Sequence, residues 1–316
     1  MTTAWVFNEF GGPEVLRQTY LGAKTDLAGS EVRIKTYACG INPIDAKIRN
    51  GSSFVAKKRV LEHVPHPWTL GFDLSGEIVR VGPDSVFKEG DIVCGCAGYV
   101  YDPCAYAQEV TCTDEYLVHV PEGVDLAQAA ALPIAGVTAL DMLPAIEKSG
   151  QKRVLLSGAS GGVGHILTTL LSLRGFEVTA LVSKGNFALA SAQGAKECLD
   201  YHEDQASHYG KYGVVIDMLG GEIGKSLYNY IQKGGLFITV PTYSKNELIA
   251  CARDYGVTAT GTLAHVEKDK LRYLLELIKE GKLKIHISRE FAFDDAINAH
   301  RQIESTHTAG KIILKA

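Results

Sequence analysis

The chain has no long hydrophobic run, no excess of charge and no cysteine framework, and each gap removes a class of protein. Its longest apolar stretch, AAALPIAGVTAL, is interrupted by Pro133 and Gly136, well short of the ~18 apolar residues that a membrane-spanning helix needs. A net charge of -4 over 316 residues gives no electrostatic reason to expect nucleic acid or an anionic membrane as a partner. Seven cysteines, an odd count scattered along the chain, do not make a disulfide framework and read as free thiols. Cys94, Cys96, Cys104 and Cys112 share one segment, but their spacing, C-x-C and then two gaps of seven residues, does not match the paired cysteines of a structural zinc site. No metal is expected there. The opening MTTAWVFNEFGGPEVL lacks the basic-then-apolar layout of a secretory signal, so a cytoplasmic location is the default expectation. No repeat, low-complexity tract or flexible linker stands out.

What is present is an ordinary globular composition, 46% hydrophobic and 22% charged, in a chain long enough for two domains of ~150 residues. Residues 1–122 read as short strands broken by glycine and proline (AWVFNEF, EVRIKTYACG, GEIVRVG, GDIVCGC), the texture of an antiparallel β domain. Residues 123–261 alternate strands with helical stretches, which argues for a parallel sheet with helices on both faces. The last segment, 262–316, offers two amphipathic helices, around KDKLRYLLELIKEG and DDAINAHRQIES, and a closing strand, GKIILKA. The expected class is therefore α/β, a β-rich domain joined to a doubly wound parallel sheet.

The sharpest chemical signal is VLLSGASGGVGHILTTLLSLRG, where Gly158, Gly161 and Gly164 fall at the turn from an apolar strand into a helix. Glycines there let a pyrophosphate approach the backbone, and the helix N-terminus offers unpaired N–H groups and partial positive charge. Ser160, Gly161, Gly162, Val163 and Gly164 are the candidate dinucleotide contacts. In an NAD site an acid about 20 residues further on binds the ribose 2'-hydroxyl. Here the second strand ends in Ser183 and Lys184, with no acid. A hydroxyl and an ammonium suit a 2'-phosphate, so NADPH is the expected cofactor. Tyr201 has two readings, a cover over that phosphate or a surface tyrosine.

The order of GINPID, GFDLSGEIVRVG, PIAGVTAL, SGASGGVG and GKIILK over the whole chain resembles the zinc-independent quinone oxidoreductase branch of the medium-chain dehydrogenase/reductase superfamily. The resemblance implies a GroES-like catalytic domain and a Rossmann cofactor domain. It also implies a homodimer joined through the middle region's sheet edge. Where zinc-dependent relatives carry a ligand Cys, this chain has Asn42, and where they carry His-Glu it has Phe72 and Asp73. A catalytic zinc needs about three protein ligands, so the resemblance implies metal-free hydride transfer. The acceptor is then a quinone or another conjugated carbonyl, in which conjugation spreads the developing charge. Two alternatives stand beside it: a reductase of alkenal or enone double bonds, and an NADPH-binding protein without turnover.

Site residues also follow by resemblance. Asn42 belongs beside the nicotinamide ribose or the substrate carbonyl. Thr138 contacts the nicotinamide, or else bonds its own helix backbone. Lys47 is a candidate cation for a developing enolate, and Asp45 either holds Lys47 or fixes the loop. Leu219 with Gly220 and Gly221, the stretch Pro241 to Tyr243, and Leu263 are the remaining candidates around the ribose and carboxamide. The loop SSFVAKKRVLEHVPHPW reads as a possible lid.

Overall fold

The computed structural model describes residues 2–22, 24–99, 102–306 and 308–316. The chain divides into two compact units, Met1–Ala135 with Val266–Ala316, and Gly136–His265. These limits differ from the expected 122/123 and 261/262. Helix Leu126–Ala131 belongs with the first unit because its alanines are buried there. The Ser75 hydroxyl donates to the Leu126 carbonyl (2.8 Å), and the Ile285 amide donates to Gln128 Oε1 (2.9 Å).

In the first unit a seven-stranded sheet is built around the long strand Glu31–Ile41. Its first half pairs antiparallel with Glu109–Thr113, its second half with Lys311–Lys315, and its other edge with Asp73–Val81. Burial along this strand alternates at first and becomes continuous over Cys39–Ile41, so the sheet is covered on both faces at that end. Val32, Ile34, Leu74, Ile78, Val93, Val110 and Leu117 form its core. The antiparallel texture read from the sequence holds except at one edge, where Ile287–Ala292 pairs parallel with Lys311–Lys315.

Two segments read as loops are helical. GINPID leads into helix Pro43–Arg49, with Asn42 as N-cap and Pro43 in the first turn, where a missing N–H costs nothing. The expected lid contains helix Phe54–Leu61, capped by Ser53, whose hydroxyl oxygen accepts from the Ala56 amide (3.0 Å).

The second unit is a six-stranded, wholly parallel sheet. Its spatial order is Glu197–Asp200, Glu177–Val182, Arg153–Ser157, Tyr212–Asp217, Ile231–Thr239, Thr258–Gly261. Numbered along the chain this is 3-2-1-4-5-6, the doubly wound order whose direction reverses between the first and fourth strands. Among the described residues no helix is long and apolar enough to cross a membrane.

Candidate active site

At the carboxyl end of strand Arg153–Ser157, Gly158 sits at φ +61°, a left-handed conformation that favours glycine. The Gly161 amide donates back to its carbonyl (2.9 Å). A Cβ on Gly164 would lie 2.2 Å from the Gly158 oxygen and 2.8 Å from the Ala159 Cα. Both neighbours are backbone, so the turn tolerates no side chain there. Helix Gly164–Leu173 then begins without a side-chain cap, leaving its N-terminus for an anion. His165, buried, uses Nδ1 on the Gly161 carbonyl (2.8 Å). Ser160, Gly161, Gly162 and Val163 line the turn, each partly exposed.

The second strand ends as the sequence implies. Ser183 is partly buried and its hydroxyl accepts from Asn186 Nδ2 (3.0 Å), while Lys184 is exposed. Asp200, which ends the third strand opposite Val182, is buried and accepts the His202 amide (3.0 Å). Tyr201 is exposed with its ring against His202. An uncapped helix start, a turn closed to side chains and a hydroxyl–ammonium pair fit a dinucleotide with a 2'-phosphate.

The fourth and fifth strands carry further candidates at the same edge of the sheet. Buried Asp217 accepts the Leu219 and Gly220 amides (2.9 and 2.8 Å) on one oxygen and the Thr239 hydroxyl (2.8 Å) on the other. Tyr243 donates to the Leu219 carbonyl (2.8 Å), and the Gly221 amide donates to Ser244 (3.0 Å). Leu219 and the loop holding Pro241 are thus one bonded unit, with Leu219 itself exposed. Thr138 is buried within helix Pro133–Lys148. Leu263 is exposed, and the loop after it is held by Asp141, whose carboxylate accepts the His265 amide (2.8 Å).

The first unit gathers a different set. Asp73 and Lys311 stand on the two strands that flank Glu31–Ile41, and Asn42 follows directly on that strand as the helix N-cap, because Ile41 pairs with Ile312 and Gly40 with Asp73. Gly40 is obligatory: a Cβ would meet the Ala130 carbonyl at 2.5 Å and the Asp73 side chain at 2.9 Å. All three polar side chains are buried. The Lys311 ammonium donates to the Ile41 carbonyl (3.1 Å) and to Asn42 Oδ1, and lies 3.7 Å from Asp73. Asn42 Nδ2 donates to Asp73 Oδ2 (2.8 Å); Asp73 Oδ1 accepts the Ile134 amide (3.1 Å) and the Cys96 thiol (3.4 Å).

Asp45 is fully buried; its Oδ2 accepts the Asn42 amide (2.8 Å) and the Tyr106 hydroxyl (3.2 Å). Those bonds tie Asp45, in the first turn of helix Pro43–Arg49, to the N-cap backbone and to Tyr106, and leave it without solvent exposure. Burial pushes its pKa up to about 7. Lys47 is partly buried, and desolvation lowers its pKa. Lys311 and Tyr106 are the members that sequence reasoning missed. The available signal was a lysine opening the strand KIILK directly before three apolar residues.

Two family models match the chain: the alcohol dehydrogenase GroES-like domain over residues 28–132 and the zinc-binding dehydrogenase model over residues 193–314. A chloroplastic quinone oxidoreductase of Triphysaria versicolor is 31% identical over 305 residues, spanning 90% of this chain and 89% of the relative. The chain belongs to the quinone oxidoreductase branch of the medium-chain dehydrogenase/reductase family. This oxidoreductase also superposes on the solved quinone oxidoreductase of Coxiella burnetii with a TM-score of 0.92 at 35% identity, covering 100% of this chain and 99% of the other. A chloroplastic NADPH-dependent alkenal/one oxidoreductase of Arabidopsis thaliana is 29% identical, over 98% of this chain and 78% of its own length. The GroES-like and parallel-sheet halves expected of the quinone oxidoreductase branch are both present.

Proposed function

We propose that this oxidoreductase passes hydride from NADPH to a quinone or another conjugated carbonyl without a catalytic metal. The observation that carries the metal-free reading is the Lys311 ammonium, bonded to Asn42 and beside Asp73. A fixed cation in the middle of that donor set repels a dication, and an amide and a carboxylate already bonded to it make poor ligands. The donor set does not fit zinc. Among the described residues no group of three His, Cys, Asp or Glu is placed to hold a metal ion.

Bound NADPH supplies the hydride. The Ser160–Gly164 turn and the start of its helix hold the pyrophosphate, and Ser183 with Lys184 takes the 2'-phosphate. Thr138, Tyr201, Leu219, Pro241 and Leu263 complete the cofactor surface. Without a Lewis acid, a hydrogen-bond donor must stabilise the charge that develops on the acceptor oxygen. Asn42 is that donor. Burial destabilises the Lys47 ammonium, which favours giving up a proton to a charged oxygen.

The alkenal/one oxidoreductase of Arabidopsis thaliana supports a second reading, reduction of an alkenal or enone double bond. Oxidation of NADPH and NADH, followed by absorbance over a panel of quinones and enones before and after chelator treatment, tests both. Turnover that prefers NADPH and survives chelation is expected, and the faster acceptor class decides between the readings. Activity lost to the chelator and restored by zinc would sink the metal-free mechanism.

A further inference from the structure

A free carboxamide can turn either its oxygen or its nitrogen toward a ligand, and only its partners decide which. Asn42 has its oxygen held by the Lys311 ammonium and one N–H held by the Asp73 carboxylate at 2.8 Å. Both partners are charged types of opposite sign, and neither tolerates the flipped amide. A flip would aim N–H at the ammonium and the carbonyl oxygen at the carboxylate. What remains to the group is its second Nδ2–H. The cluster has no slack: Asn42 is 3% exposed, Lys311 3% and Asp73 0%. Lys311 is further pinned by the Ile41 carbonyl, and Asp73 by the Ile134 amide.

We propose that Lys311 and Asp73 are positioning residues that fix Asn42 as a hydrogen-bond donor, so that it meets the acceptor's oxygen with N–H and never with its own oxygen. This rests on the reading above in which Asn42 faces the acceptor. The ion pair favours an acceptor that becomes more negative during the reaction and disfavours a group that must itself donate, such as an alcohol. The frame GINPID…GFDLSG is therefore retained for a purpose other than metal binding. Gly40 admits Asp73, and the strand register delivers Lys311.

The test is a cycle of three variants on the full chain. Asn42→Ala is expected to lower kcat about tenfold, the loss of one net hydrogen bond. The paired change Lys311→Met with Asp73→Asn removes both charges together, avoiding a lone buried ion. It should cost a similar factor in kcat while NADPH affinity, read by fluorescence titration, stays unchanged. Adding Asn42→Ala to that pair should cost nothing more, because all three changes act through one amide. Multiplying losses, or a paired variant with undiminished kcat, would overturn the positioning role. An Asn42→Ala enzyme as fast as the parent would instead remove Asn42 from the reaction, and absence of any NADPH oxidation by the parent would remove the proposed activity. Should the pair not fold, Lys311→Gln with Asp73→Asn carries the test: two neutral amides accept either orientation of Asn42, with the same kcat loss and the same non-additivity expected.

Discussion

The glycine turn of the second unit and the buried cluster of the first hold polar groups in opposite ways. At Gly158–Gly164 the chemistry is carried by main chain, and side chains are excluded by contacts within seven residues of sequence. At Asn42–Asp73–Lys311 it is carried by side chains alone, drawn from positions up to 269 residues apart. A backbone site is written locally and is sensitive to added bulk. A side-chain site is written by sheet register and is sensitive to lost charge.

The sharpest way to break that contrast is Gly164→Ala. Its Cβ meets main-chain atoms at 2.2 and 2.8 Å, and neither can rotate away. Overpacking of this kind costs about 2 kcal/mol, and the distorted turn should weaken NADPH binding about 30-fold in a fluorescence titration. The methyl group would have to be accommodated without loss of affinity for the backbone account to fail.

A smaller effect is expected at the end of the second strand. Lys184→Ala should raise the NADPH dissociation constant about tenfold, the value of one charge-assisted hydrogen bond. NADH binding should stay about unchanged. An equal loss for both cofactors would show that the lysine does not read the 2'-phosphate.

The smallest effect concerns pH in the first unit. Asp45 has its pKa raised in the folded chain from 3.8 to about 7, so between those values the folded state binds the extra proton. Its contribution to stability therefore rises as pH falls. His300, fully buried without a hydrogen-bond partner for either ring nitrogen, has its pKa lowered from 6.5 to about 3. There the unfolded chain binds the proton, and stability falls with acid. Between about pH 4 and 6.5 the two slopes oppose each other. Relative to the parent, Asp45→Asn should tilt denaturant-measured stability toward loss in acid, and His300→Leu should tilt it toward gain. Parallel curves for parent and variants would show that neither group titrates between the folded and unfolded states in this range.

Legibility followed the same division. The parallel sheet, the glycine turn and the missing acid at Ser183–Lys184 could all be read directly, because each depends on neighbours in sequence. The helix after Asn42 was missed because a proline read as a loop also opens a helix. The expected first boundary and the compact-unit limit differ because the alanines of Leu126–Ala131 look helical without revealing which core they enter. Asp45 had two local readings, holding Lys47 or fixing its own loop, and neither pointed to Tyr106, 61 residues away, which supplies a bond to it.

The sequence by itself determined the two-part α/β architecture, the place of the dinucleotide turn and the identity of Asn42, Phe72 and Asp73, where the family resemblance implies Cys and His-Glu in zinc-dependent relatives. These rest on periodicity, glycine and residue identity, which are local properties. Only the tertiary structure decided what stands in that donor set. A lysine from the last strand reaches Asn42 and Asp73 because Glu31–Ile41 pairs with Lys311–Lys315 on one side and Asp73–Val81 on the other. Buried charge is tolerated only where its partners converge, and convergence is a property of register, which no short stretch of the chain contains.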